Sequence, residues 1–343
     1  MSAIDDKWQQ LKAQGLDLGG ALGPEEPAPA GGKVRRYERG HIYWCSATGA
    51  HEVHGGILSL YLAHGGPGDS PQTGTRLLGY PVTDELSVEG VPRSIFESGA
   101  IYWTPGTGGC VLWGSVWATY QRPQAGSTAT GLGLPLTGNM PLAGGEAAYF
   151  ERGVLFSSGV APVLAGRFDP PLMGRPQLID PDDQRSRSFG ALVTWPLLMR
   201  SHYQALIDWR PSVFAELWTD RLVLTPVGSP FSHIPLTCQQ VSLRNDVPHI
   251  QQVDVYAVMT IFPNGPLDLK DRTLYDLQLK LPNGNTCMIS PHSLYAKRDW
   301  DNFGLLHITD LHISQRNNQF RRMLQERGLD DAAQNYANFQ DNL

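Results

Sequence analysis

The stretch Phe96-Glu97-Ser98-Gly99-Ala100-Ile101-Tyr102-Trp103 decides the fold, because it is the middle one of three copies. An earlier copy reads Tyr37-Glu38-Arg39-Gly40-His41-Ile42-Tyr43-Trp44, and a later, worn one reads Phe150-Glu151-Arg152-Gly153-Val154-Leu155-Phe156-Ser157. A second signature stands ahead of each: Leu22-Gly23-Pro24, Leu78-Gly79-Tyr80-Pro81 and Leu132-Gly133-Leu134-Pro135. Two signatures recurring together at a spacing of roughly 55 residues mark units that cannot bury their apolar faces alone and must stack.

The physics of one unit is readable. Ile42-Tyr43-Trp44 and Ile101-Tyr102-Trp103 are strong strand formers. Thr48-Gly49 and Thr107-Gly108 supply turns, with Gly free to adopt positive φ, and Val53 and Val111 are read as the start of the return strands. Ile57 and Tyr61, like Val116 and Tyr120, stand four apart, which suits one face of a short helix. Each unit is therefore predicted to be a hairpin with a helix packed on it. The third lacks the Thr-Gly turn and the helical pair and reads as a terminal capping repeat.

These residues resemble the LGFP repeat over about residues 4–160, a module of actinobacterial and related proteins that is frequent in the cell envelope. The resemblance implies attachment to cell-wall glycan. Under it, Tyr43, Trp44, Tyr102 and Trp103 are candidates for a sugar-stacking platform, while strand alternation places about half of such residues in the repeat core.

Beyond the repeats, Pro-rich Phe168-Asp169-Pro170-Pro171 through Ile179-Asp180-Pro181-Asp182-Asp183 reads as a linker. The run from Val253 to Phe262 is a long strand candidate, and Tyr275 to Leu281 alternates strictly, as a half-buried strand does. Asn283-Gly284 is a favoured tight-turn pair before Thr286-Cys287-Met288-Ile289. His202, His233, His249 and His292 are dispersed without ligand spacing and read as surface or core histidines.

Near the end stands Phe303-Gly304-Leu305-Leu306-His307-Ile308-Thr309-Asp310-Leu311-His312-Ile313-Ser314. Positions i and i+2 of a strand point the same way, so Asp310 and His312 are candidate ligands of one Mn, Fe or Zn ion. The run resembles the first metal-binding block of the calcineurin-like metallophosphoesterases. That resemblance implies an α/β domain in which two divalent ions activate water against a phosphoester substrate. The family's later blocks do not follow: there is no Gly-Asn-His and no His-x-His, and Gly68-Asp69 lies far upstream. The expectation is the front part of such a domain, inactive as it stands. Phe320, Met323 and Leu324, then Tyr336, Phe339 and Leu343, lie at helical spacing after it.

The expected organisation is a repeat array over 1–165, a Pro-rich linker over 166–184, a β-meander or sandwich over 185–297, and the start of a metallophosphoesterase α/β domain over 298–343. A multidomain, β-rich chain agrees with 17% charged residues beside 37 Gly and 26 Pro in 343 residues. A net charge of −6 with no basic stripe gives no reason to expect nucleic acid. No stretch approaches the roughly 18 apolar residues of a membrane span. Met1-Ser2-Ala3-Ile4-Asp5-Asp6-Lys7-Trp8 lacks the basic lead of a secretory signal, which points to the cytoplasm, whereas the repeat family points to the envelope. Cys45, Cys110, Cys238 and Cys287 are far apart and are expected as buried thiols. Two functions follow as expectations: the N-terminal portion of a phosphoesterase, or a non-enzymatic module binding envelope glycan or a protein partner.

Overall fold

A computed structural model describes residues 2–104, 108–121, 132–142, 144–159, 163–167, 177–179, 195–196, 220–244, 256–263 and 269–298. All of them belong to one compact unit, Met1–Arg298.

Each repeat is a four-stranded antiparallel sheet, larger than the expected hairpin. Helix α1 (Ala3–Ala13) precedes β1 (Glu26–Ala28), β2 (Gly32–Tyr37), β3 (Gly40–Cys45) and β4 (Gly49–His54). Helix α2 (Gly55–Ala63) leads to β5 (Leu86–Val88), β6 (Val91–Phe96), β7 (Gly99–Thr104) and β8 (Gly108–Trp113). Helix α3 (Gly114–Tyr120) leads to β9 (Met140–Leu142), β10 (Gly145–Phe150), β11 (Gly153–Ser157) and β12 (Leu164–Arg167). The third unit thus carries a complete sheet despite its worn signature. The return strands begin at Gly49 and Gly108, at φ +85° and +73°, several residues before Val53 and Val111.

Helices and sheets alternate as layers. Period-two alternation sends Ile42 into the cluster of Ile4, Leu11, Leu18 and Tyr37 around α1. Its neighbour Tyr43 joins the opposite cluster around Ile57 and Tyr61 of α2, which also takes in Phe96, Ile101 and Val111 of the second sheet. The other face of that sheet, with Ala100, Tyr102 and Leu112, packs with Val116, Trp117 and Tyr120 of α3 and with Phe150 and Leu155 beyond it. Helix α1 starts on a capping box in which Asp5 N–H donates to Ser2 Oγ (3.1 Å) and Ser2 N–H to Asp5 Oδ2 (3.3 Å).

A seven-stranded sheet follows, in the order β13-β19-β18-β15-β16-β17-β14. Its strands are β13 (Gln177–Ile179), β14 (Trp195–Pro196), β15 (Leu222–Pro226), β16 (Ile234–Arg244), β17 (Tyr256–Pro263), β18 (Thr273–Lys280) and β19 (Thr286–Ala296). Tyr275, Leu277 and Leu279 are buried on alternate positions of β18, as their pattern requires. Strand β13, from the segment read as a linker, pairs in parallel with β19. Arg221 joins this sheet to the third repeat, its guanidinium 5.4 Å over the buried Tyr149 ring. Cys45 and Cys110 are buried thiols. No helix among the described residues is long and apolar enough to cross a membrane.

Candidate functional site

The register of the three units comes from backbone hydrogen bonds. Leu22 N–H donates to Arg36 O (2.9 Å), Val82 N–H to Ile95 O (2.8 Å) and Leu136 N–H to Tyr149 O (2.8 Å). That register makes Leu18-Gly19-Gly20-Ala21, not Leu22-Gly23-Pro24, the first copy of the Leu-Gly signature. The glycines confirm it: Gly19, Gly79 and Gly133 sit at φ +82°, +77° and +78°, whereas Gly23 is not left-handed. The Leu-Gly-Pro lookalike four residues downstream drew the sequence reading off register.

The two signatures are halves of one turn. Tyr80 N–H donates to Glu97 Oε2 (2.8 Å), and Leu134 N–H to Glu151 Oε2 (3.0 Å). A Cβ placed on Gly19, Gly79 or Gly133 would strike the carboxylate of Glu38, Glu97 or Glu151. Beyond the first two turns an aliphatic side chain faces water at the same position, Leu22 at 68% exposure and Val82 at 41%, while Leu136 in the third is half-buried.

The aromatics proposed as a platform do not share a surface. Tyr43 and Tyr102 are core residues, 3% and 2% exposed, set edge-on to Tyr61 (5.2 Å between centroids) and Tyr120 (6.2 Å). Trp44 is half-buried against the α1 cluster. Trp103 lies over Gly56 of α2, where an added Cβ would fall 2.6 Å from the indole. At the matching place in the third unit Ser157 replaces tryptophan and Ser115 replaces glycine, with hydroxyls 2.8 Å apart. These positions weld helix to sheet.

Titratable groups gather where the first repeat meets the second. Asp84 Oδ2 accepts from Lys7 Nζ of α1 (2.9 Å), while Oδ1 accepts from Glu52 N–H (3.2 Å) and faces His51 Nδ1 (3.2 Å). Glu52 is 1% exposed; its carboxylate accepts Glu85 N–H (2.8 Å) and faces His54 Nδ1 (2.7 Å). Burial alone would raise the Asp84 carboxyl, but hydrogen bonds from His51 and Lys7 outweigh it and hold it at about 2. The Glu52 hydrogen bond raises the His54 imidazole against its burial, and burial raises Glu85. Sequence reading missed this cluster because its members come from β4, α1 and the loop before β5, and only folding brings them together.

Among the described residues no group of three or more His, Cys, Asp or Glu is arranged to hold a metal ion. Asp310 and His312, which carry the metal expectation, lie outside the described residues, as do the later helical patterns, His202 and His249. The LGFP repeat family matches residues 18–69 and 78–126, and each match opens on the leucine of a Leu-Gly turn. No curated protein matches the chain. Nothing in these comparisons supports a metallophosphoesterase domain.

Proposed function

We propose, for a chain that carries LGFP repeats, that the array is a non-enzymatic binding module engaging cell-envelope glycan. LGFP repeats are typical of cell-envelope-associated proteins. The observation that carries the reading is repetition of shape: equivalent turns present an outward aliphatic residue, Leu22 then Val82, on stacked layers. A repeating ligand matches a repeating surface, and each contact adds to the next. The purified chain should co-sediment with isolated cell wall. Leu22→Asp together with Val82→Asp should reduce the bound fraction at least about threefold through avidity loss while leaving the fold intact. Failure of the unaltered chain to sediment would remove the proposal.

A second reading keeps the phosphoesterase lineage, on the strength of the run Phe303–Ser314. In it Asp310 and His312 hold one of two Mn-, Fe- or Zn-type ions. Since one ligand block is too few for two-metal chemistry, we expect negligible hydrolysis of an aryl phosphate with added Mn²⁺. Metal-dependent turnover that vanishes in Asp310→Asn would establish the enzymatic reading instead.

A further inference from the structure

The first inter-repeat junction sets two histidines among carboxylates, and the second, built on the same backbone plan, has no histidine at the matching positions. Both ring nitrogens of His51 face oxygen acceptors, Thr48 O at 3.0 Å and Asp84 Oδ1 at 3.2 Å. Both nitrogens of His54 face carboxylates, Glu52 Oε2 at 2.7 Å and Glu85 Oε2 at 3.7 Å. A ring donates from both nitrogens only as imidazolium. The groups turned toward these rings and their carboxylates are Lys7 from α1, Glu52 on β4, and Asp84 and Glu85 from the loop before β5.

In the second junction the positions of His51, Glu52 and His54 are taken by Cys110, Val111 and Trp113. Those of Asp84 and Glu85 are taken by Gly138 and Asn139. There the Glu146 carboxyl, raised by burial, hydrogen-bonds the side chains of Asn139 and Trp113. Asn139 N–H donates to Val111 O (3.0 Å), and the Asn139 amide bonds the Trp113 backbone at 3.3 and 3.4 Å.

We propose that the junction between the first and second repeats is a pH-responsive latch, closed by doubly protonated His54 held between Glu52 and Glu85 and loosened when it loses the second proton. The junction between the second and third repeats has no histidine at the matching positions and lacks this latch. The direction follows from linkage. The raised His54 contributes fully below its ordinary value and less as pH rises through its folded value; raised Glu85 acts in the same sense. Depressed Asp84 contributes above its ordinary value and fails only as pH falls toward about 2. The latch is tightest between roughly pH 4 and 6.5, bounded by ordinary aspartate and histidine titration.

Hydrogen exchange of the full chain at pH 5.5 and 8.5, corrected for intrinsic rates, tests this. Opening of α2 should be at least about threefold more frequent at the higher pH. His51→Gln with His54→Gln should abolish the difference. A difference that survives in the double variant would overturn the proposal. Should the double variant not fold, side-chain NMR titration of His54 in the unaltered chain decides: a midpoint above about 6.5 supports the latch, and one at or below it defeats it.

Discussion

Replacing Gly79 by alanine should destabilise the chain by about 3 kcal/mol in urea denaturation. At φ +77° an L-residue pays about 1–2 kcal/mol for the left-handed backbone. The added Cβ also lands on the Glu97 carboxylate, displacing the acceptor of Tyr80 N–H and the partner of Arg76, and losing such a bond costs about 1–3 kcal/mol. Gly74→Ala is the control: its φ is +67°, but a Cβ there meets open space, so only the conformational part remains. Equal losses from the two substitutions would show that the glutamate lock contributes nothing.

Tyr61→Ala should cost about 3–5 kcal/mol, the usual range for removing a large buried aromatic. Tyr61 is 0% exposed, stacked on Phe96 at 4.5 Å and 19°, and edge-on to Tyr43. Its hydroxyl donates to Gly79 O at 2.7 Å, so Tyr61→Phe isolates that bond and should cost about 1–2 kcal/mol. The same arrangement recurs as Tyr120, stacked on Phe150 at 4.7 Å and bonded to Gly133 O at 2.9 Å. One tyrosine in each shared helix therefore touches the strand behind it, the strand ahead and the next Leu-Gly turn. A Tyr61→Ala variant within about 1 kcal/mol of the parent would refute that role.

What was legible in sequence was what local chemistry dictates. The Ile-Tyr-Trp strands, the Thr48-Gly49 turn, the i, i+4 helix pairs and the alternation of Tyr275, Leu277 and Leu279 all occupy the elements their patterns specify. The short strands β1, β5 and β9 escaped notice because three residues with Pro or Ser among them carry no periodicity. The off-register first signature has a different cause. Gly19 is followed by Gly20 and Ala21 where the other copies have a large residue and Pro, so geometry persisted after its sequence label had faded. The polar junction was invisible because Lys7 and Asp84 lie 77 residues apart.

Each shared helix also bears on how such an array grows. A tandem duplication starting at any phase of the period supplies one helix and one sheet, and the new layer finds both of its neighbours already shaped to receive it. Shortening is not so forgiving. Cutting immediately ahead of Leu18 would strip α1 and bare Tyr37 and Ile42, a penalty set by where the cut falls and not by how many residues are lost.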